Sequence, residues 1–161
     1  MTVAEYNKSV EDHSDGVYRF ILKNIKNDDK ARDVVQDTYE KLWLKVDEVS
    51  AEKVKSYLFT AAYHTMIDMI RKEKRVTGFE TEKHDKQAQT EHYTGLSQIL
   101  EQAVAKLPAD QRSVIMLRDY EGYSYEEIAG ITGLTESQVK VYIFRGRMFL
   151  KNYIGSIEAV I

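Results

Sequence analysis

Lys140, Phe144 and Arg145 fall within one stretch, TESQVKVYIFRGRMFLKNY, at spacings that bring them to one side of a helix. At about 100° per residue, Val139, Ile143, Gly146 and Leu150 share the other side, and their apolar period assigns that side to a core. Ser137, Lys140, Val141, Phe144 and Arg145 are left facing outward. Two cations around an aromatic ring are not the make-up of an ordinary solvated face. In a DNA major groove, Lys and Arg can donate hydrogen bonds to guanine edges, and Phe can meet a thymine methyl. Arg147 lies toward the flank, where a phosphate is the expected contact. Ser137 suits a phosphate, a base edge or a place in the cap. A protein-binding helix could show the same face, so the chemistry depends on what positions it.

A second set lies upstream in VKSYLFTAAYHTMIDMIRKEKR. Tyr57, Phe59 and Tyr63, with His64 beside them, precede the basic tail Arg71, Lys72, Lys74 and Arg75. Aromatics next to cations can stack on unpaired bases while the cations hold the strand's phosphates. Core packing is the competing role for the three aromatics, and the expected one for Phe59.

The first set is positioned by a recognisable layout. Ser124 and Glu127 form a reciprocal capping pair that opens a short helix, with Ile128 and Ala129 as its apolar side. Gly133 supplies a sharp turn, and Thr135 with Gln138 opens a second, longer helix. Helix, short turn with Gly, helix is the pattern of a helix-turn-helix, whose second helix enters the major groove.

Toward the N-terminus the pattern is helical from Tyr6 to Arg75. Val17, Phe20, Ile21 and Ile25 form one stripe, which the polar run Asn27 to Asp29 ends. Ala31, Val34, Val35, Thr38 and Leu42 form a second stripe, with Asp33, Gln36, Asp37, Glu40 and Lys41 largely away from it. A third helix begins near Val54. Residues 76–95 have no sustained apolar period and are rich in Thr, Gln, Glu and Lys, which reads as a flexible linker. Leu100, Val104 and Leu107 then start a second domain, Pro108 stands at the start of its next helix, and Val114, Ile115 and Leu117 continue the core. No strand alternation occurs. The expected fold is all-α: two small helical domains, 1–75 and 96–161, joined by the linker 76–95, the second containing the helix-turn-helix.

Composition limits the functions open to such a chain. Its 161 residues carry a net charge of −3, yet residues 51–75 hold six Lys/Arg against three Asp/Glu, and residues 136–161 four against two. Positive charge confined to two islands suits local rather than promiscuous nucleic-acid binding; solvated helix faces are the plain alternative for either island. Cysteine is absent, and His13, His64, His84 and His92 lack metal-ligand spacing, so no metal site or cofactor is expected. There is no phosphate-binding Gly-rich loop and no nucleophile elbow, hence no sign of an enzyme. The N-terminus does not read as a signal peptide, and no apolar run is long enough to cross a membrane.

LPADQRSVIMLRDYEGYSYEEIAGITGL followed by TESQVKVYIFRGR resembles the C-terminal domain of bacterial RNA polymerase sigma factors. DDKARDVVQDTYEKLW is similar to the polymerase-binding helix of the same family, and VKSYLFTAAYHTMIDMIRKEKR to the adjoining segment that opens promoter DNA. Two such domains with little between them resemble the minimal extracytoplasmic-function class, over roughly Tyr6 to Arg75 and Leu96 to Tyr153.

The resemblance implies a non-catalytic, cytoplasmic specificity subunit with no small-molecule substrate. Asp33, Gln36, Asp37 and Glu40 would dock the clamp helices of the polymerase's largest subunit. Tyr57, Tyr63, His64, Arg71, Lys72, Lys74 and Arg75 would bind the −10 element of promoter DNA. Ser137, Lys140, Val141, Phe144, Arg145 and Arg147 would bind the −35 element. It also implies restraint by an anti-sigma factor, often membrane-anchored in relatives. His64 stands where many relatives have Asn, and Val141 and Tyr142 where a Ser-Arg pair is frequent, which leaves base preference open. Two rival readings of the residues are a dimeric helix-turn-helix regulator that binds operators without polymerase, and an adaptor that binds only proteins.

Overall fold

The computed structural model describes residues 1–77 and 95–160. Every regular element among them is helical, and the chain divides into two compact units.

In the N-terminal unit, α1 (Val3–Ile25) starts earlier than the apolar stripe alone predicts. Thr2 caps it reciprocally with Glu5, a T-x-x-E signal that lies upstream of the apolar stripe beginning at Val17. The helix ends at Lys26, which adopts a left-handed φ of 56°. Asn27 then begins the next helix rather than merely ending the first: its side chain accepts from the Lys30 amide at 2.9 Å and caps α2 (Asp28–Leu44). A 3-10 turn (Ala51–Lys53) leads into α3 (Val54–Thr77).

Val17, Phe20 and Ile21 of α1 meet Ala31, Val34 and Leu42 of α2 and Leu58, Phe59, Ala62 and Met66 of α3 in one core. Phe20 and Phe59 pack edge to face at 5.5 Å. Buried Thr38 satisfies its hydroxyl by donating to the Val34 carbonyl at 2.8 Å. Tyr39 takes a place in the core that the sequence stripe gave to Val35, which is half-buried. The Tyr39 hydroxyl donates to the Ser9 carbonyl at 2.9 Å, tying α2 to α1.

The C-terminal unit holds α4 (Leu96–Ala105), α5 (Ala109–Ile115), α6 (Tyr125–Thr132) and α7 (Glu136–Val160). Pro108 stands at the cap of α5. The chain then widens into a π turn over Met116–Tyr120, in which the Glu121 amide donates to the Met116 carbonyl at 3.1 Å. Val104, Leu107, Val114, Ile115, Leu117, Ile128, Val139 and Ile143 are all buried here. Arg112 is buried among them and was not singled out in the sequence. Its guanidinium donates to the carbonyls of Leu107 at 2.9 Å and Ala105 at 3.3 Å, closing the end of α4. Burial lowers its pKa from the usual arginine value.

Of the expected linker 76–95, residues 76 and 77 complete α3. Gly95, with a φ of 80°, immediately precedes α4. Residues 78–94, which include His84 and His92, lie outside the described residues.

Candidate nucleic-acid interface

Both capping boxes of the helix-turn-helix form. Ser124 accepts from the Glu127 amide at 3.1 Å, and the Glu127 carboxylate accepts from the Ser124 amide at 2.8 Å. Thr135 and Gln138 repeat this at 3.0 and 2.9 Å. Between the two helices lie only Gly133, Leu134 and Thr135, and Gly133 has a φ of 81°, a conformation that favours glycine. The start of α7 is therefore fixed at both ends of a three-residue turn.

Which side of α7 faces out is set by its packing. Val139 and Ile143 are buried. Gly146 is pressed against α5: a Cβ there would collide with Ile115 Cδ1 and lie 3.2 Å from its Cγ1. Gly146→Val is expected to destabilise the C-terminal unit by about 1–3 kcal/mol through overpacking, read as a lower denaturation midpoint.

On the other side Phe144 is 66 % exposed and Val141 41 %, with Ser137, Lys140 and Arg145 exposed around them. Thr135 provides the cap, so Ser137 is left in the exposed first turn. Lys140 leans over the Tyr125 ring, its Nζ 5.7 Å from the centroid, while Arg118 lies 4.6 Å from the same ring. Two further apolar side chains reach solvent here and were missed in the sequence, Met148 and Tyr120. Met148 lies four residues after Phe144, so the same helical count would have found it.

Arg147 stands toward the flank, where a phosphate is the expected contact. It is exposed but paired: its Nη2 donates to Asp119 Oδ1 at 2.5 Å and its Nε to Oδ2 at 3.3 Å. These bonds raise its pKa above the usual arginine value. Asp119 belongs to the π turn, 28 residues upstream in sequence, and nothing in local spacing announces the pair.

In the N-terminal unit the upstream set separates. Tyr63 does not stand beside the basic tail as an open stacking surface; it is 9 % exposed and its ring meets His64 edge-on at 5.3 Å. The reason is register, since Tyr63 follows Phe59 by four residues and shares its buried side. Tyr57 is half-buried, and His64 is exposed, as are Arg71, Lys72, Lys74 and Arg75. Glu73, inside that basic run, pairs with Lys30 of α2. The acid of the run is thereby engaged with the helical body while its four cations face solvent.

On α2, Asp33, Gln36 and Glu40 are exposed. Asp37 is half-buried and pairs with Lys41 at 3.2 Å, whose Nζ also donates to Thr65 at 2.8 Å. Asp37 is thus part of an α2–α3 tie as well as of the polar face. The face ends in two exposed apolar residues, Trp43 (49 %) and Leu44 (81 %), which the stripe count left unassigned. Trp43 packs edge-on against Tyr6 at 5.1 Å. No cluster of potential metal ligands occurs among the described residues, and none of their helices is long and apolar enough to cross a membrane.

Comparison with known proteins adds to this geometry. The family model described as sigma-70 region 2 matches residues 9–76, and that described as sigma-70, region 4 matches residues 97–150. The chain is 32 % identical over 145 residues to the RNA polymerase sigma factor SigV of Bacillus subtilis, covering 88 % of this chain and 86 % of that one. It is 27 % identical over 140 residues to the ECF RNA polymerase sigma factor SigM of the same organism, covering 84 % and 86 %. Among solved structures, the sigma factor RpoE, in co-crystal with the anti-sigma factor NepR from Bartonella quintana, superposes with a TM-score of 0.79. It shares 28 % sequence identity over 95 % of this chain and 98 % of that one.

Proposed function

Because the chain belongs to the sigma-70 family of RNA polymerase sigma factors, in its extracytoplasmic-function class, we propose that its two helical units divide promoter recognition between them. The protein directs RNA polymerase core to specific promoters. In this division α7 reads the −35 element as duplex, with Lys140, Phe144 and Arg145 at base edges and Ser137 and Val141 beside them. The tail of α3 holds the opened −10 strand through Arg71, Lys72, Lys74 and Arg75, with exposed His64 and half-buried Tyr57 as the rings of that segment that solvent reaches. The exposed acids and amide of α2, Asp33, Gln36 and Glu40, with Asp37 behind them, dock on a basic surface of the polymerase clamp. The chain performs no bond chemistry of its own; nucleotide addition belongs to the polymerase. It works in the cytoplasm, and an anti-sigma factor restrains it, as NepR accompanies RpoE.

One observation carries the reading of α7: a helix clamped from behind by Gly146 presents a strongly exposed Phe between two cations. A phenylalanine left in water is unfavourable unless a partner covers it, and thymine-methyl contact between guanine-binding cations does so. An operator-binding dimer would leave the polar face of α2 without a task.

Run-off transcription with purified core polymerase tests the proposal. Promoter-dependent transcripts are expected only when the chain is added; their absence on every template of the cognate genome would overturn it. With a net charge of −3, binding to duplex without core enzyme is expected to be weak. Reversing two exposed charges of α2, Asp33→Lys with Glu40→Lys, should weaken assembly with core about tenfold in a salt-sensitive way. The variant's melting temperature should stay unchanged.

A further inference from the structure

The bidentate pair between Arg147 and Asp119 has the geometry by which a guanidinium grips a phosphate, two parallel N–H bonds to two oxygens of one anion. It is not a default pair between helical neighbours, since the acid comes from the π turn and the base from the recognition helix. The two cations of α7 with mapped partners are treated differently. Lys140 leans on a neutral ring, whereas the charge of Arg147 is offset by a carboxylate. The pair is half-exposed, on the flank of α7 that Lys140 shares, seven residues and two turns before Arg147, and an ion pair in water is weak enough for another anion to displace.

Resting on the reading that this side of α7 meets duplex DNA, we propose that Asp119 is an intramolecular stand-in for a DNA phosphate. It occupies Arg147 in the free protein and acts as a brake on DNA binding outside the polymerase complex. A phosphate must evict the carboxylate to reach Arg147, and the evicted carboxylate then sits near the backbone and repels it. Arg147 therefore adds little to the charge that free DNA sees. Held within the polymerase complex at a promoter, the same phosphate is presented at high local concentration and the exchange proceeds.

The test uses the full chain, a duplex of scrambled sequence about 30 base pairs long, and salt from about 50 to 200 mM, with binding read by fluorescence anisotropy. Asp119→Asn should steepen the dependence of log affinity on log salt by about 0.9, the slope of one added phosphate contact. Over that range the variant then loses about 3.5-fold more affinity than the parent. Arg147→Gln should change the parent slope little, and the double variant D119N/R147Q should return to it. An unchanged slope in D119N overturns the proposal. So does an equal steepening in the R147Q background, because the effect would then be general charge rather than release of Arg147. Thermal melts check the fold, and Asp119→Ser, should D119N melt early, must give the same slope. Scrambled duplex requires no promoter recognition, so this outcome is independent of the run-off assay. A missing transcript from the unaltered chain would instead strike at the promoter reading itself.

Discussion

Replacing Lys140 and Arg145 together by alanine is expected to lower transcription from the cognate promoter about a hundredfold, with the melting temperature unchanged. A well-formed cation contact to a guanine edge contributes about 1–3 kcal/mol of discrimination. Two such contacts of about 1.4 kcal/mol each, well within that range, amount to two powers of ten. Both side chains are exposed, and surface replacements away from special features shift stability by no more than about 0.5 kcal/mol. Run-off transcription at fixed polymerase, beside a thermal melt, separates the outcomes. An adaptor that binds only proteins would keep its function in this variant, and a promoter reader loses it. Retained transcription at parental level would remove α7 from promoter reading.

Phe59→Ala has the largest expected effect on the fold. Phe59 is fully enclosed and meets Phe20 edge to face where α1 and α3 cross. Truncating such a ring costs about 3–5 kcal/mol, from lost transfer energy and the cavity left behind. Small domains have a total stability of only about 5 kcal/mol or somewhat more, so most of the margin of the N-terminal unit would go. Chemical denaturation should show a lower midpoint, and hydrogen exchange should lose protection along α1 and α3 first. His64→Ala, five residues further on and exposed, should leave the midpoint where it was. Equal stability of F59A and the parent would remove Phe59 from the core and restore it as a candidate base contact.

The helix-turn-helix was legible because its signals are local. Ser124 with Glu127, Thr135 with Gln138, and Gly133 between them each act within four residues, and each forms as spaced. The two sides of α7 were legible for the same reason, since helical period alone separates Val139 and Ile143 from Lys140 and Phe144. What was not legible depends on distant partners. Arg147 looks free until the π turn delivers Asp119, and Asp37 looks like an open acid until α3 brings Thr65 to Lys41. Tyr63 is a different case. Spacing leaves it both roles, stacking beside a basic tail and core packing four residues after Phe59, and the burial of its ring among α3's neighbours favours the second. Trp43 and Leu44 escaped because a stripe count marks what is buried and is silent on apolar residues that remain outside.

Gly146 also bears on how such a protein can change. Because α7 is seated through its backbone against Ile115, the positions that meet DNA share almost nothing with those that hold the helix in place. Ser137, Val141 and Phe144 can therefore mutate with little penalty to folding, and lineages can drift to new target sequences one substitution at a time. The scaffold is conservative and the vocabulary is free, which is the arrangement needed if duplicated copies within one genome are to acquire separate sets of genes without first passing through an unfolded ancestor.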